Sequence, residues 1–453
     1  MIHKYQQGDM LIVLDVNSGA VHRVDPIAYD VIDLYKDFDL DKIILKLEDK
    51  YNRNEIIEAI KEIEALEGAG LLFSKDLLEG QNLEHRDTVI KALCLHIAHD
   101  CNIRCKYCFA SQGDFQGTRT LMSEEVGIKA IDFLLQNSGK RKNLEIDFFG
   151  GEPLMNFEVV KKIVEYGRAK EKEYNKKFRF TLTTNGLLLN EENIQYIDKH
   201  MDNVVLSIDG RKKVNDNMRY TKNGDGTYDL IVPKIRKLVE TRKGKSYFVR
   251  GTFTRDNLDF SQDVLHLADL GFKNTSVEPV VTDPNNTYSI REEDLPVIFD
   301  QYDHLAEEYV NRYHKDRFNF FHFQVDLNQG PCFTKRISGC GAGSEYLAIT
   351  PEGDIYPCHQ FVGEKEFLMG NLMVTSFDQS IGDCFSKAHV YNKSLCQECW
   401  AKFYCSGGCH ANAHHSNGNI YQPYGLGCKM EKKRIECSLG IQAKLYSEKD
   451  VKL

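Results

Sequence analysis

Short apolar runs separated by helical stretches dominate the middle of the chain. The runs cover residues 92–97, 144–149, 179–183, 203–208, 246–253 and 275–281. The segments between them are amphipathic at helical period. Six strands alternating with helices predict parallel βα units in an open or closed barrel. The N-terminal region reads differently. Residues 10–16 and 20–24 are apolar runs about Asn17-Ser18-Gly19, which predicts a β-hairpin. Asp25-Pro26 offers a helix cap and a first helical residue. Ile43, Ile44 and Leu47, then Ile56, Ile60 and Ile63, recur at helical spacing up to Gly68 and Gly70. Residues 71–73 are expected to form a closing strand. A hairpin, three helices and a strand make a small winged-helix-like α+β domain over residues 1–78. The polar stretch 79–90 is the expected linker.

Length and composition narrow the class. The 453 residues hold two or three domains with sizeable cores. A charged fraction of 28 % and a hydrophobic fraction of 42 % are those of a soluble globular protein. The net charge of −9 argues against nucleic acid as a partner, as does the row Glu55, Glu58, Glu62, Glu64 and Glu67 on the third helix. No apolar run has the length of a bilayer span and the N-terminus has no signal core, so a cytoplasmic, membrane-free protein is expected.

The 14 cysteines then become informative, because disulfides are rare in that compartment and metal is the default. They fall in two groups: Cys94 to Cys108, and Cys332 onward. Cys101, Cys105 and Cys108 have C-x3-C-x2-C spacing just after the first barrel strand. A loop this short can turn its sulfurs to one side, and thiolates suit iron–sulfur clusters or zinc. Cys94, inside the strand, reads as a small buried hydrophobe. Gly150-Gly151-Glu152-Pro153 follows the second strand, where glycines admit close backbone approach and a carboxylate can accept from an ammonium. Thr184-Asn185-Gly186 and Ser207-Ile208-Asp209-Gly210 end the next two strands. They put small polar groups at the C-terminal strand ends, where barrel sites lie. Later come Cys340-x12-Gly353-x4-Cys358, then Cys396-x2-Cys399-x5-Cys405-x3-Cys409, then Cys428. Cys384 and Cys437 fit no pattern and read as structural. His410, His414 and His415 read as solvated or as neighbours of the ligands.

The triad, with an aromatic residue just before its third cysteine, resembles the radical SAM superfamily. The resemblance implies an α/β partial (β/α)6 barrel over residues 91–325. It also implies a 4Fe-4S cluster on Cys101, Cys105 and Cys108 whose open iron binds S-adenosylmethionine and cleaves it to a deoxyadenosyl radical. Cofactor contacts are implied for Tyr107, Gly150, Gly151, Glu152, Asn185, Ser207, Asp209 and Arg219, with Arg219 meeting the carboxylate and Tyr107 near the adenine. The later cysteines resemble the SPASM extension, here residues 326–453, with two auxiliary 4Fe-4S clusters. By that resemblance Cys396, Cys399, Cys405 and Cys428 hold one cluster completely, and Cys340, Cys358 and Cys409 hold the other. Either Cys332 completes the second set or that iron is open to a substrate thiol.

The N-terminal layout resembles the precursor-peptide recognition domain of peptide-modifying enzymes, which adds a leader peptide as a strand to a sheet edge. The whole, and residues 399–412 most of all, looks like the maturases of six-cysteine-in-forty-five peptides. The implied activity is thioether crosslinking of a ribosomally made cysteine-rich precursor. A flavodoxin or ferredoxin is the implied electron donor, and a monomer is expected. Carbon–carbon crosslinking, sulfatase-type oxidation and a non-enzymatic redox protein are the alternatives. No general base is assignable from the residues.

Overall fold

The computed structural model describes residues 1–450 apart from 82, 84–88, 326, 328–336 and 375. The chain begins with a three-stranded antiparallel sheet in the order β1 (Ile2–Gln7), β2 (Met10–Asp15), β3 (Val21–Val24). Helices α1 (Pro26–Leu34), α2 (Leu40–Leu47) and α3 (Arg53–Gly68) follow. Asp25 caps α1 by accepting from the Ala28 amide, with Pro26 at the first helical position as expected. Asn52 and Glu55 close a capping box on α3.

Two details differ from the sequence reading. Strand β1 was not expected, because Ile-His-Lys-Tyr-Gln-Gln has no apolar alternation. It forms by pairing with β2 from Ile2↔Asp15 to Gln7↔Met10. Residues 71–73 are no strand. Gly70 and Phe73 have positive φ and bend the chain, and Leu72 drops into the module core at 1 % exposure.

The sheet of this module is covered on both faces. Val13 joins Val31, Ile44, Ile56 and Ile60 under the helices. Met10, Ile12, Leu14 and Val16 point the other way, onto Ala401, Ile435 and Leu439 of the C-terminal region. This is the period-2 alternation of a strand with a core on each side. His3 stacks on Trp400 with ring centroids 3.8 Å apart, and the Tyr5 hydroxyl donates to the Glu436 carbonyl.

The other strands are β4 (Ala92–Ala98), β5 (Ile103–Cys105), β6 (Asn143–Gly150), β7 (Lys177–Thr184), β8 (Asn203–Ser207) and β9 (Arg219–Thr221). Then come β10 (Phe248–Phe253), β11 (Asn274–Pro279), β12 (Asn319–Phe320), β13 (Tyr346–Ile349), β14 (Asp354–Tyr356), β15 (Gly370–Asn371) and β16 (Ser376–Phe377). The six expected strands are β4, β6, β7, β8, β10 and β11. They pair in parallel in the order β4-β6-β7-β8-β10-β11. Alternate residues such as Leu144, Ile146, Phe148, Phe178, Phe180 and Leu182 meet Val126, Leu134 and Ile163 of the helices. The intervening residues Phe149, Thr183, Val205, Ser207 and Thr252 line an interior cavity.

The sheet is open, as expected of a partial barrel. Its order begins at β12 and ends at β16. The short β12 extends it beyond β11. At the other flank β13 pairs in parallel with β4, with Cys94 opposite Ala348, and β14–β16 continue antiparallel. One sheet therefore runs across the boundary expected at 325/326. Cys94 is buried against Ala348 and Tyr356, the packing role its position implied. Among the described residues no helix is long and apolar enough to cross a membrane.

Candidate functional site

The cysteine triad follows β4, and its loop is clamped from two directions. From one side comes the glycine pair. The Gly151 amide donates to the Ala98 carbonyl at 2.8 Å, and the Glu152 amide to the Asp100 carbonyl at 2.9 Å. A Cβ at Gly151 would lie 2.1 Å from the Asp100 carbonyl oxygen, and one at Gly150 only 2.4 Å from that of Ala98. Only glycine permits this approach. From the other side β5 pairs antiparallel with β9, with Cys105 opposite Arg219. Burial pushes the Cys101 thiol up to about 11 and the Cys105 thiol up to about 12. Both are protonated at neutral pH, and a bound metal must displace those protons.

The expected polar residues gather around the triad. Tyr107 donates to Asp209, at 2.7 and 2.8 Å from its two oxygens, and accepts from Arg219 Nη1 at 3.0 Å. Asp209 is fully buried, and burial pushes its carboxyl up to about 6 against the pull of Arg219. Arg219 is buried too, and its Nε has no acceptor among the described residues. A buried donor without a partner marks a place for an anionic ligand. Asn185 donates to Asn102 Oδ1 at 2.8 Å and reaches the Cys101 sulfur at 3.6 Å. Ser207 lines the cavity with Gly150 and Gly151.

Glu152 differs from expectation. Its carboxylate is turned into the protein, accepting from the Leu154 and Asn185 amides and the Thr184 hydroxyl. Burial still pushes it up to about 7. It thus braces the Gly-Gly turn against the end of β7, with one acceptor position left on Oε2 for a cation.

The C-terminal cysteines sit on short, glycine-broken elements. Gly353, at φ +89°, makes the turn between β13 and β14, and Cys358 follows β14. Cys396 lies in the helix Ser394–Gln397, Cys405 ends Lys402–Cys405, and Cys409 caps His410–Asn417. Cys428 is near the start of the long helix Gly425–Asp450. Electrostatics divides them. Burial raises Cys358 first, then the charges of Cys409 and Cys340. Burial likewise leads at Cys405, where Glu431, Cys428 and Cys396 add to it, and at Cys428, where Cys399 and Glu431 do. In each case the neighbouring thiols named belong to the same set in the grouping that the SPASM resemblance implies. Cys332 lies outside the described residues. Of the two unmatched cysteines, Cys437 is fully buried beside Asp303, as a structural residue should be, but Cys384 is exposed. His410 is buried on the Ala388 carbonyl, and His414 and His415 pair with Glu364.

One cavity of about 820 Å³ is lined both by the whole triad and by Cys340, Cys405, Cys409 and Cys428. The same cavity is lined by a group that the sequence reading missed. Glu278, in β11 near its C-terminal end, accepts from Ser276 at 2.6 Å and pairs with His322 Nε2 at 2.9 Å. Tyr302 reaches His322 Nδ1 at 3.1 Å. Burial pushes Glu278 up, but His322, Arg250 and Arg434 overcome it and hold the carboxyl well below the usual range. Its place at a barrel strand end was the one available signal.

Comparison with known proteins agrees with this geometry. Residues 91–232 match a family model described as a 4Fe-4S single cluster domain, and residues 340–400 match SPASM, an iron–sulfur cluster-binding domain. A radical SAM cyclopropyl synthase, TigE of Paramaledivibacter caminithermalis, is 24 % identical over 73 % of this chain and 70 % of its own. Native anSMEcpe with bound AdoMet superposes with a TM-score of 0.64 at 19 % identity, over 79 % of this chain and 99 % of that one. Streptococcus suis SuiB bound to its precursor peptide SuiA superposes at 0.53 and 17 % identity, over 94 % and 98 %. The chain carries the α/β fold of radical SAM proteins with a SPASM domain.

Proposed function

We propose that this protein is a radical SAM maturase that forms intramolecular thioethers in a cysteine-rich precursor peptide. The observation that carries the reading is one cavity lined by both the cysteine triad and four of the later cysteines. The residues fit the implied cofactors. Three thiols converge where glycines leave room, and the unpartnered Arg219 Nε suits a carboxylate. When bound, the triad cluster and S-adenosylmethionine supply the radical that removes a hydrogen atom from a peptide carbon.

The chain's own residues do the rest. Cys101, Cys105 and Cys108 hold the first cluster. Arg219, oriented by Tyr107 and Asp209, holds the carboxylate end of the cofactor. Gly150 and Gly151 bring backbone close to it, Asn185 and Ser207 border it, and Glu152 fixes the turn and balances its ammonium. Cys396, Cys399, Cys405 and Cys428 hold one auxiliary cluster, and Cys340, Cys358 and Cys409 the other. The edge of the N-terminal sheet takes the leader peptide as an added strand. SuiB, similar over nearly the whole chain, is a protein bound to a precursor peptide, which supports that partner. Similarity to a cyclopropyl synthase favours carbon–carbon bond formation as the second reading.

Mass spectrometry of the peptide after full reduction and alkylation tests this. Each thioether takes one hydrogen from carbon and one from sulfur, so the peptide loses two hydrogens and one alkylatable thiol. Loss of mass with every thiol still alkylatable would overturn the thioether in favour of a carbon–carbon bond.

A further inference from the structure

Two lysines near the later cysteines are almost wholly buried, and they are satisfied differently. Lys402, 6 % exposed, pairs with the Asp76 carboxylate at 3.0 Å. Lys393, 1 % exposed, has no carboxylate within ion-pair distance among the described residues. Its ammonium donates to one neutral acceptor, the Gly407 carbonyl, at 2.8 Å. A buried ammonium carries three donors and a full charge, and it is stable only beside a compensating anion.

The surroundings identify that anion. Gly407 lies in the loop between Cys405 and Cys409, and a Cβ there would come within 3.5 Å of Lys393 Nζ. The Lys393 carbonyl accepts from the Cys396 amide at 2.8 Å, so the lysine is bonded at both ends to cysteine-bearing loops. Burial lowers its pKa, and the charges acting against burial are those of Cys396, Cys405, Cys409 and Cys428. These four thiols come from both sets. As thiolates on clusters they supply the missing negative charge.

We infer that Lys393 is the cation shared by the two auxiliary clusters and that its charge raises their reduction potential. This rests on the cluster reading above. A positive charge in a low-dielectric site favours the more negative, reduced state, which suits clusters that accept an electron as a carbon radical is quenched by sulfur. Lys393 acts through the cysteine ligands, as a positioning and tuning residue.

The test is a redox titration of the anaerobically reconstituted full chain, followed by electron paramagnetic resonance, with iron content measured alongside. Lys393→Met keeps the length and removes the charge. It should keep its iron but show a reduced-to-oxidised ratio about tenfold lower at a fixed poise, which is about 59 mV for one electron. Lys393→Arg should titrate like the parent. Unchanged potential in an iron-replete Lys393→Met protein overturns the inference, since a packing role would leave potential alone. If Lys393→Met and Lys393→Gln lose auxiliary iron while Lys393→Arg keeps it, the charge requirement stands. If all three lose it equally, the inference is overturned. A parent protein with only about four iron per chain overturns the auxiliary clusters themselves, and the inference falls with them.

Discussion

Arg219 stands directly opposite Cys105 in the β5–β9 ribbon. A candidate cluster ligand and a buried guanidinium whose Nε has no acceptor among the described residues are therefore fixed to paired strands, although they lie far apart in the chain. The Lys106 amide, donating to the Met218 carbonyl at 2.9 Å, extends the same contact. Cluster and cofactor carboxylate would be held in mutual register by main-chain bonds.

Arg219→Ala should weaken S-adenosylmethionine binding about 10- to 100-fold, the range of a charge-assisted contact worth about 1.5–3 kcal/mol. Equilibrium binding to the anaerobic, iron-loaded protein measures it, with iron content as the control. Normal affinity would place the carboxylate contact on another residue.

Gly151→Ala should act like loss of the triad, because its Cβ would meet the Asp100 carbonyl at 2.1 Å and push the cysteine loop away. Iron per chain should fall from about 12 to about 8 in this variant, as in the Cys101, Cys105 and Cys108 triple alanine variant. Both should lose deoxyadenosine production. A Gly151→Ala protein with full iron and full cleavage would show that the turn can move without cost.

Glu278→Gln should leave iron content and cofactor affinity intact, since among the described residues Glu278 bonds to Ser276 and His322 and not to Tyr107, Asp209 or Arg219. The neutral amide should slow crosslinking of the peptide while deoxyadenosine still forms, a split read by quantifying both products. Equal loss of both products would mean that the charge serves the cofactor end.

Ile12→Ala should loosen the N-terminal module from the C-terminal region. Ile12 is fully buried against Ala401, Ile435 and Leu439, and such a truncation costs about 2–5 kcal/mol. Trp400, the only tryptophan, stacks on His3 and so reports docking by fluorescence. A lower urea midpoint for that signal is expected. An unchanged midpoint would mean that the interface contributes little. Because this face is covered, removal of residues 1–78 would expose Trp400, Tyr404 and Leu439 as well as remove the proposed peptide site.

The sequence by itself determined the parts whose signals are local. Six strands as short apolar runs, three helices with the Asp25 cap of the first, the cysteine triad and the Gly-Gly turn were legible as local patterns, because neighbouring residues carry them, while the division of the later cysteines into two sets came from a family resemblance. Tertiary structure decided what depends on partners distant in the chain. Strand β1 has no pattern of its own and exists through β2 and Trp400. Strand β13 joined β4 because the region after residue 340 returns to the barrel edge. Glu152 proved to brace a turn, since its three donors come from two separate strand ends. Glu278 and Lys393 look like ordinary surface charges in the sequence. Their burial, and hence their chemistry, is set by residues brought together only on folding, and no local pattern records how much water a side chain has lost.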